Sequence, residues 1–329
     1  MTDFGAETTA AAVVERFTDQ VQGRTSPPVV LNGVSPDGIG AEIATCLAQA
    51  NPSRLILVSN DNGSTALQSL LDEVNGPNAS VAITVIAAQP CSVSSVRRAA
   101  QDILAREDAE NIDVLINIPI EMPRAYTETE DGLEYLLQTN YLSQFLFTNM
   151  IMPKLLKTQR PRVINVSSSA NKIAGMRWHD VNFKEAGSYE PWTAYGQAKT
   201  AAILFTTALN AKFGGQGHHL RSYAVHPGGV RTKLQEQLSS HALERAFEAT
   251  KQRFGEETAK EFFRWKTLSA AASTPLRAAL DPSLPSKAGI WLEDCKLLEE
   301  SIHLHVRATN RVDANRLWDL SNLLLSTDF

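Results

Sequence analysis

Along the chain, short runs of aliphatic and β-branched residues alternate with longer stretches whose apolar residues recur every three or four positions. The runs are "PPVVLNG" (27–33), "RLILVSN" (54–60), "VAITVIAA" (81–88), "IDVLINIPI" (112–120), "RVINVSS" (162–168) and "LRSYAVH" (220–226). Between them lie "GIGAEIATCLAQA", "TALQSLLDEV", "SVRRAAQDILARE", "GLEYLLQTNYLSQFLFTNMIMPKLL" and "AYGQAKTAAILFTTALNAKF". Continuous apolar runs this short suit strands covered on both faces. Six of them separated by helices predict an α/β fold, a Rossmann-like doubly wound parallel sheet with right-handed crossovers.

After His226 the pattern turns mostly helical. "AGIWLEDC" predicts one last strand and "DANRLWDLSNLLL" a closing amphipathic helix. At the other end, residues 1 to about 8 are small and polar and read as disordered, and "AAVVERFTDQVQG" reads as a short helix. With no repeat and no linker rich enough to part domains, residues 1–22 are expected to form an arm and 23–329 a single domain. Residues 229–265 would be its helical substrate lid.

Composition narrows the partners. The 329 residues carry a net charge of −5, which argues against nucleic acid or an anionic membrane. No run approaches the ~18 apolar residues of a membrane-spanning helix. Three well-separated cysteines, Cys46, Cys91 and Cys295, suit a reduced compartment, so a cytoplasmic location is expected, with Cys91 and Cys295 as inert packing residues. His218–His219 and the pair His303 and His305 lack a third ligand, and no metal is expected.

Two local patterns carry candidate chemistry. Gly33, Gly38 and Gly40 follow the first strand and open a helix, where backbone N–H groups can approach a pyrophosphate. Tyr195 and Lys199 in "YGQAK" share a helix face at i,i+4. A nearby ammonium favours the phenolate and makes the tyrosine a usable acid–base. Taken alone, that pair equally fits two unrelated residues on one face.

The order of these motifs resembles the short-chain dehydrogenase/reductase family, closest to its retinol-dehydrogenase-like branch of fungal type, over about residues 25–325. "NGVSPDGIG" is similar to the family's TGxxxGIG turn, "VINVSSSA" to the strand ending at the catalytic serine, and "YGQAK" to YxxxK. "LLQTNYLSQFLFTN" resembles the helix of the tetrad asparagine, and "HPGGVRT" the segment that meets the nicotinamide. The resemblance implies a tetrad of Asn140, Ser168, Tyr195 and Lys199. Tyr195 would exchange a proton with the substrate oxygen, which Ser168 would hydrogen-bond. Lys199 would lower the Tyr195 pKa and bind the nicotinamide ribose, and the Asn140 backbone would hold a water relaying protons to Lys199.

The resemblance also implies a cofactor set of Gly33, Ser35, Gly38, Ile39, Gly40, Ser59, Asn60, Gln89, Asn117, Lys199, Pro227, Gly228, Val230 and Thr232. Trp178, Trp192 and Trp265 fall where this branch builds its substrate pocket. The implied function is an oxidoreductase moving a hydride between NADP(H), or NAD(H), and a carbonyl or secondary alcohol of a hydrophobic small molecule. The implied assembly is a monomer or homodimer.

The cofactor half departs from the family. Asn32 stands for a threonine, "NIPI" (117–120) for NNAG, and Gln89 for an aspartate; "VSND" (58–61) offers no base for a 2′-phosphate, and Asp37 is acidic. These changes cluster, so a chain whose cofactor is lost or merely structural is a further expectation. Such a chain would be a non-redox isomerase, dehydratase or cyclase using Tyr195 and Ser168, or a silent binding protein.

Overall fold

The computed structural model describes residues 4–22, 28–61, 63–76, 81–119, 121–215, 217–230, 240–286, 289–299 and 304–329. In chain order the first half contains α1 (Ala10–Arg16), α2 (Thr18–Gln22), β1 (Val29–Asn32), α3 (Ile39–Gln49), β2 (Arg54–Ser59) and α4 (Thr65–Val74). Then come β3 (Ala82–Ala87), α5 (Val93–Leu104), β4 (Val114–Asn117), α6 (Tyr135–Leu137), a π turn (Gln138–Leu142) and α7 (Ser143–Leu155). The second half adds β5 (Arg162–Val166), α8 (Pro191–Phe213), β6 (Arg221–His226), β7 (Gly229–Val230), α9 (Ser240–Phe254) and α10 (Glu256–Phe262). It closes with β8 (Trp265–Lys266), α11 (Leu268–Leu280), β9 (Trp291–Glu293), β10 (Lys296–Leu298) and α12 (Arg311–Leu325).

The main sheet runs β10-β9-β6-β5-β4-β1-β2-β3. Its pairings are parallel except β9–β10, so the six expected strands form the parallel body of a Rossmann-like fold. The expected last strand is β9. The antiparallel β10 beside it was not foreseen, because the hairpin turns on Asp294 and Cys295, both at positive φ (49° and 57°), without the Asn-Gly or Asp-Gly that usually marks such a turn.

Strands β1, β4 and β5 are buried at every position, as their unbroken apolar letters require. One apolar layer joins the sheet to α1, α3 and α11; the other joins it to α5, α7, α8 and α12. Residues 4–8, expected to be disordered, are tied down. The Phe4 ring packs against Phe17 at 5.9 Å, and the Arg277 guanidinium lies 4.7 Å above it.

Chain order reverses between β1 and β4, which creates a crevice outside the carboxyl ends of the strands. Beside it an amide ladder crosses the sheet. Asn32, Asn117 and Asn165 are in register on β1, β4 and β5. Asn32 Nδ2 donates to Asn117 Oδ1 (2.9 Å), and Asn117 Nδ2 to Asn165 Oδ1 (2.9 Å). The ladder reaches α7 and α8, two helices of one layer, through Gln144 Oε1 (2.7 Å from Asn32 Nδ2), Thr148 Oγ1 (3.0 Å from Asn117 Nδ2) and Thr206 Oγ1 (2.9 Å from Asn165 Nδ2). A buried network with every member satisfied fixes α7 and α8 against the strand ends. Asn32 is thus compensated by Asn117 and Gln144.

Candidate active site

Four elements converge at the carboxyl ends of β4, β5 and β6. Strand β5 runs into Ser168, whose hydroxyl accepts from Ala170 N (3.2 Å) and caps a short 3₁₀ turn, Ser169–Lys172. Helix α8 starts at Glu190, whose carboxylate accepts from Trp192 N (3.1 Å) and Thr193 N (2.6 Å), with Pro191 at its first position. That start puts Tyr195 and Lys199 on one face of α8, and both are buried. Gly196 lets α8 close on the serine segment: a Cβ there would lie 2.7 Å from Ala170 O. The Ser167 hydroxyl donates to Lys199 O (2.8 Å) and fastens strand to helix.

Electrostatics follow from burial. The expected lowering of the Tyr195 pKa by Lys199 is reversed in the free protein: loss of hydration pushes the phenol up to about 12, and only a hydrogen bond to Ser168 pulls the other way. Burial draws the Lys199 ammonium down to about 7. Its Nζ sits 5.1 Å from the Tyr195 ring centroid. Asn140 is wholly buried in the π turn that packs on α8, and neither atom of its amide has a hydrogen-bond partner among the described residues. Two bonds from the Ser143 hydroxyl, to Gln138 O (2.9 Å) and Thr139 O (3.1 Å), hold the turn's widened geometry. Such π turns are frequent at functional sites.

Ser168, Tyr195 and Lys199 line one cavity of about 780 Å³. Pro227, Gly228 and Val230 line it too, as do Trp192 and Trp265 among mostly apolar walls. Trp178, expected in this pocket, does not line it; its ring lies under Arg316 (4.5 Å) in the layer with α8 and α12. Thr232 lies outside the described residues, as do Ile120 and 231–239 of the expected lid. The described lid residues supply Leu243, Phe254 and Phe262, and Arg253 reaches across to Ile173 O (2.8 Å).

The expected cofactor residues divide. Ile39 lines the large cavity, and Gly38 caps α3. Asn117, expected to meet the cofactor, is 1% exposed and its amide is spent in the ladder. Ser59 is also 1% exposed: it donates to Val34 O (2.7 Å), accepts from Asp61 N (3.1 Å) and braces the glycine turn. That turn holds four residues between Gly33 and Gly38, namely Val34, Ser35, Pro36 and Asp37, one more than TGxxxGIG allows. The Ser35 hydroxyl lies 2.3 Å from where a Gly38 Cβ would be. At Gly33, with φ +99°, Ile118 O stands 2.1 Å from a Cβ position, so the β4 loop lies directly on the turn. Ile118 Cδ1 fills the space beside Gly40 at 3.3 Å. The Gln89 amide donates to Asn60 O (3.0 Å) across the β2 and β3 ends.

Sequence reasoning missed an ion cluster beneath the cavity. Lys266, with its side chain 3% exposed, and Arg264 both pair with Asp294 of the β9–β10 hairpin. The Lys266 stem crosses Gly228, with Cδ 2.7 Å from that residue's Cβ position. Only the folded hairpin brings these charges together, so no local signal announces them. Among the described residues, no three His, Cys, Asp or Glu gather as a metal site, and no helix is long and apolar enough to cross a membrane.

A serine, tyrosine and lysine meeting at the strand ends of a doubly wound sheet define a class, and comparison with known proteins identifies it. The short chain dehydrogenase family model matches residues 29–180. Retinol dehydrogenase 12 of Mus musculus is 31% identical over 93% of this chain and 87% of its own length. The short-chain dehydrogenase/reductase prx1 of Penicillium roqueforti is 29% identical over 94% of this chain and 87% of its own. The chain belongs to the short-chain dehydrogenase/reductase family, whose class is NAD(P)-dependent oxidoreductases. An uncharacterized protein from Mycobacterium paratuberculosis, 26% identical, superimposes with a TM-score of 0.66 over 98% of this chain and 99% of its own. A Serratia marcescens short-chain dehydrogenase/reductase, 18% identical, shares the fold at a TM-score of 0.60 over 82% of this chain and 95% of its own.

Proposed function

We propose that this chain interconverts a carbonyl and a secondary alcohol on a hydrophobic small molecule, with Tyr195 as proton donor and acceptor. The observation that carries the reading is the meeting of Ser168, Tyr195 and Lys199 in one large cavity with mostly apolar walls. In the reducing direction the carbonyl oxygen sits against the Tyr195 and Ser168 hydroxyls. As charge builds on that oxygen, Ser168 donates a hydrogen bond and Tyr195 gives up its proton. The Lys199 ammonium steadies the phenolate left behind, and a water held at the Asn140 turn returns the proton. A nicotinamide cofactor, when bound, supplies or takes the hydride at the carbonyl carbon.

Pro227, Gly228, Val230 and Lys199 fit the nicotinamide and its ribose, because they line the cavity beside Tyr195. The adenosine end is more crowded: Ile118 lies against Gly33 and Gly40, the Ser35 hydroxyl against Gly38, and the Gln89 amide bonds to Asn60 O. Residues 240–265 would close over the substrate, with Trp192, Trp265 and Phe254 forming its apolar walls. The test is turnover of apolar ketones with NADH and NADPH by the wild-type chain and by Tyr195→Phe. A loss of about 10²–10⁴-fold in the variant, the range for removing a positioned acid–base, supports the reading. Equal rates, or wild-type turnover without nucleotide, would overturn it in favour of a non-redox reaction.

A further inference from the structure

In a doubly wound fold, the first glycine turn receives the pyrophosphate and the end of β2 receives the adenosine ribose. Adenine then lies over the carboxyl ends of β1, β2 and β3. In this chain that place holds a void of about 30 Å³, lined by Gly33, Asn60, Ala88, Pro90, Ile118 and Pro119.

Three features of the chain's own atoms crowd the crevice beside it. The β4 loop lies on Gly33, and Ile118 is 4% exposed between Gly33 and Gly40. The Gln89 amide bridges to the Asn60 backbone and closes the outer edge. Ser59, where a ribose or 2′-phosphate contact would fall, turns its hydroxyl inward to Val34 O. The end of β2 continues as Asn60-Asp61, with no base to receive a phosphate.

We propose that this chain occupies its own adenosine subsite. Nicotinamide cofactors are then held by the nicotinamide–ribose half alone, and NADH and NADPH are not told apart. The inference rests on the oxidoreductase reading, since it needs a nicotinamide seated beside Lys199. It is a departure in recognition only: the acid–base group at Tyr195 is untouched.

The test is calorimetric titration of the full chain with NADH, NADPH, reduced nicotinamide mononucleotide and ADP-ribose. The expected result is that the first three bind within about threefold of one another, less than half of a tenfold step in free energy. ADP-ribose shows no saturable binding. Gln89→Ala, at an exposed position, opens the outer edge and lets ADP-ribose bind measurably. If NADH or NADPH binds more than about thirtyfold tighter than the mononucleotide, roughly 2 kcal/mol, the adenosine subsite is in use. The proposal then fails while the oxidoreductase reading stands. If none of the three reduced nucleotides binds the folded chain, both fail.

Discussion

Lys199 gives the most quantitative handle on the site. Its ammonium is stripped of water by α8 and the sheet, which draws its pKa from 10.5 to about 7. A lowered lysine pKa means that the unfolded chain holds more protons between those values, so stability rises with pH across that window. Each unit is worth about 1.4 kcal/mol, so the charged lysine costs the free protein about 4 kcal/mol at pH 7 and about 2 kcal/mol at pH 9. Lys199→Met keeps an unbranched side chain of similar size and removes the charge. The variant should therefore be more stable than wild type at pH 7, with the gap narrowing by about 2 kcal/mol by pH 9. Urea unfolding of both proteins without nucleotide at the two pH values measures this. Cys46, Cys91 and Cys295 also titrate higher in the fold than free, through burial, but they are common to both proteins and cancel. A variant no more stable than wild type at pH 7, or a gap that stays constant, would show that Lys199 is not desolvated as its setting implies.

Three further expectations follow from particular contacts. Carbonyl reduction should slow as pH rises through about 7, because Lys199 loses the charge that steadies the Tyr195 phenolate, while Tyr195 itself keeps its proton up to about 12. A rate flat from pH 6 to 9 would contradict this. Asn117→Ala strands amides of Asn32 and Asn165 and should cost about 2–4 kcal/mol in thermal or urea unfolding, well above the ~1 kcal/mol of an ordinary hydrogen bond; a loss under 1 kcal/mol would mean the ladder is not a cooperative unit. Helix α12 covers α7 and α8, with Trp318 against Phe145 (5.0 Å) and Ser321 hydrogen-bonded to Tyr141 (2.6 Å), so sedimentation should give a monomer and not a dimer joined through those helices.

Much of the molecule was legible because it is local or periodic. The six parallel strands announced themselves as continuous apolar runs, and α8 by its apolar length. Tyr195 and Lys199 share a face by spacing alone, and Ser168 sits where its strand ends. What stayed hidden depends on register and long-range packing. Asn117 reads as a cofactor residue until β1, β4 and β5 align and consume its amide. Ser59 reads as a cofactor contact until the glycine turn folds onto its hydroxyl. Trp178 follows the serine segment in sequence yet packs outside the cavity, beneath Arg316 of α12. The π turn at Asn140 leaves no mark in "LLQTNYLSQ", because its extra residue is held by one serine bonding back to two carbonyls. The ion cluster of Lys266, Arg264 and Asp294 needs a hairpin whose turn residues carry no hairpin signal.

The central claim is that hydride and proton meet at one substrate carbon–oxygen bond beside Tyr195. The measurement that reaches it most directly uses nicotinamide nucleotide deuterated at the transferring position, with an apolar ketone that the chain reduces. The account predicts deuterium on the product's carbinol carbon from the wild-type chain, and almost no product from Tyr195→Phe under the same conditions. Product formed without deuterium, or formed equally well by the variant, would contradict it.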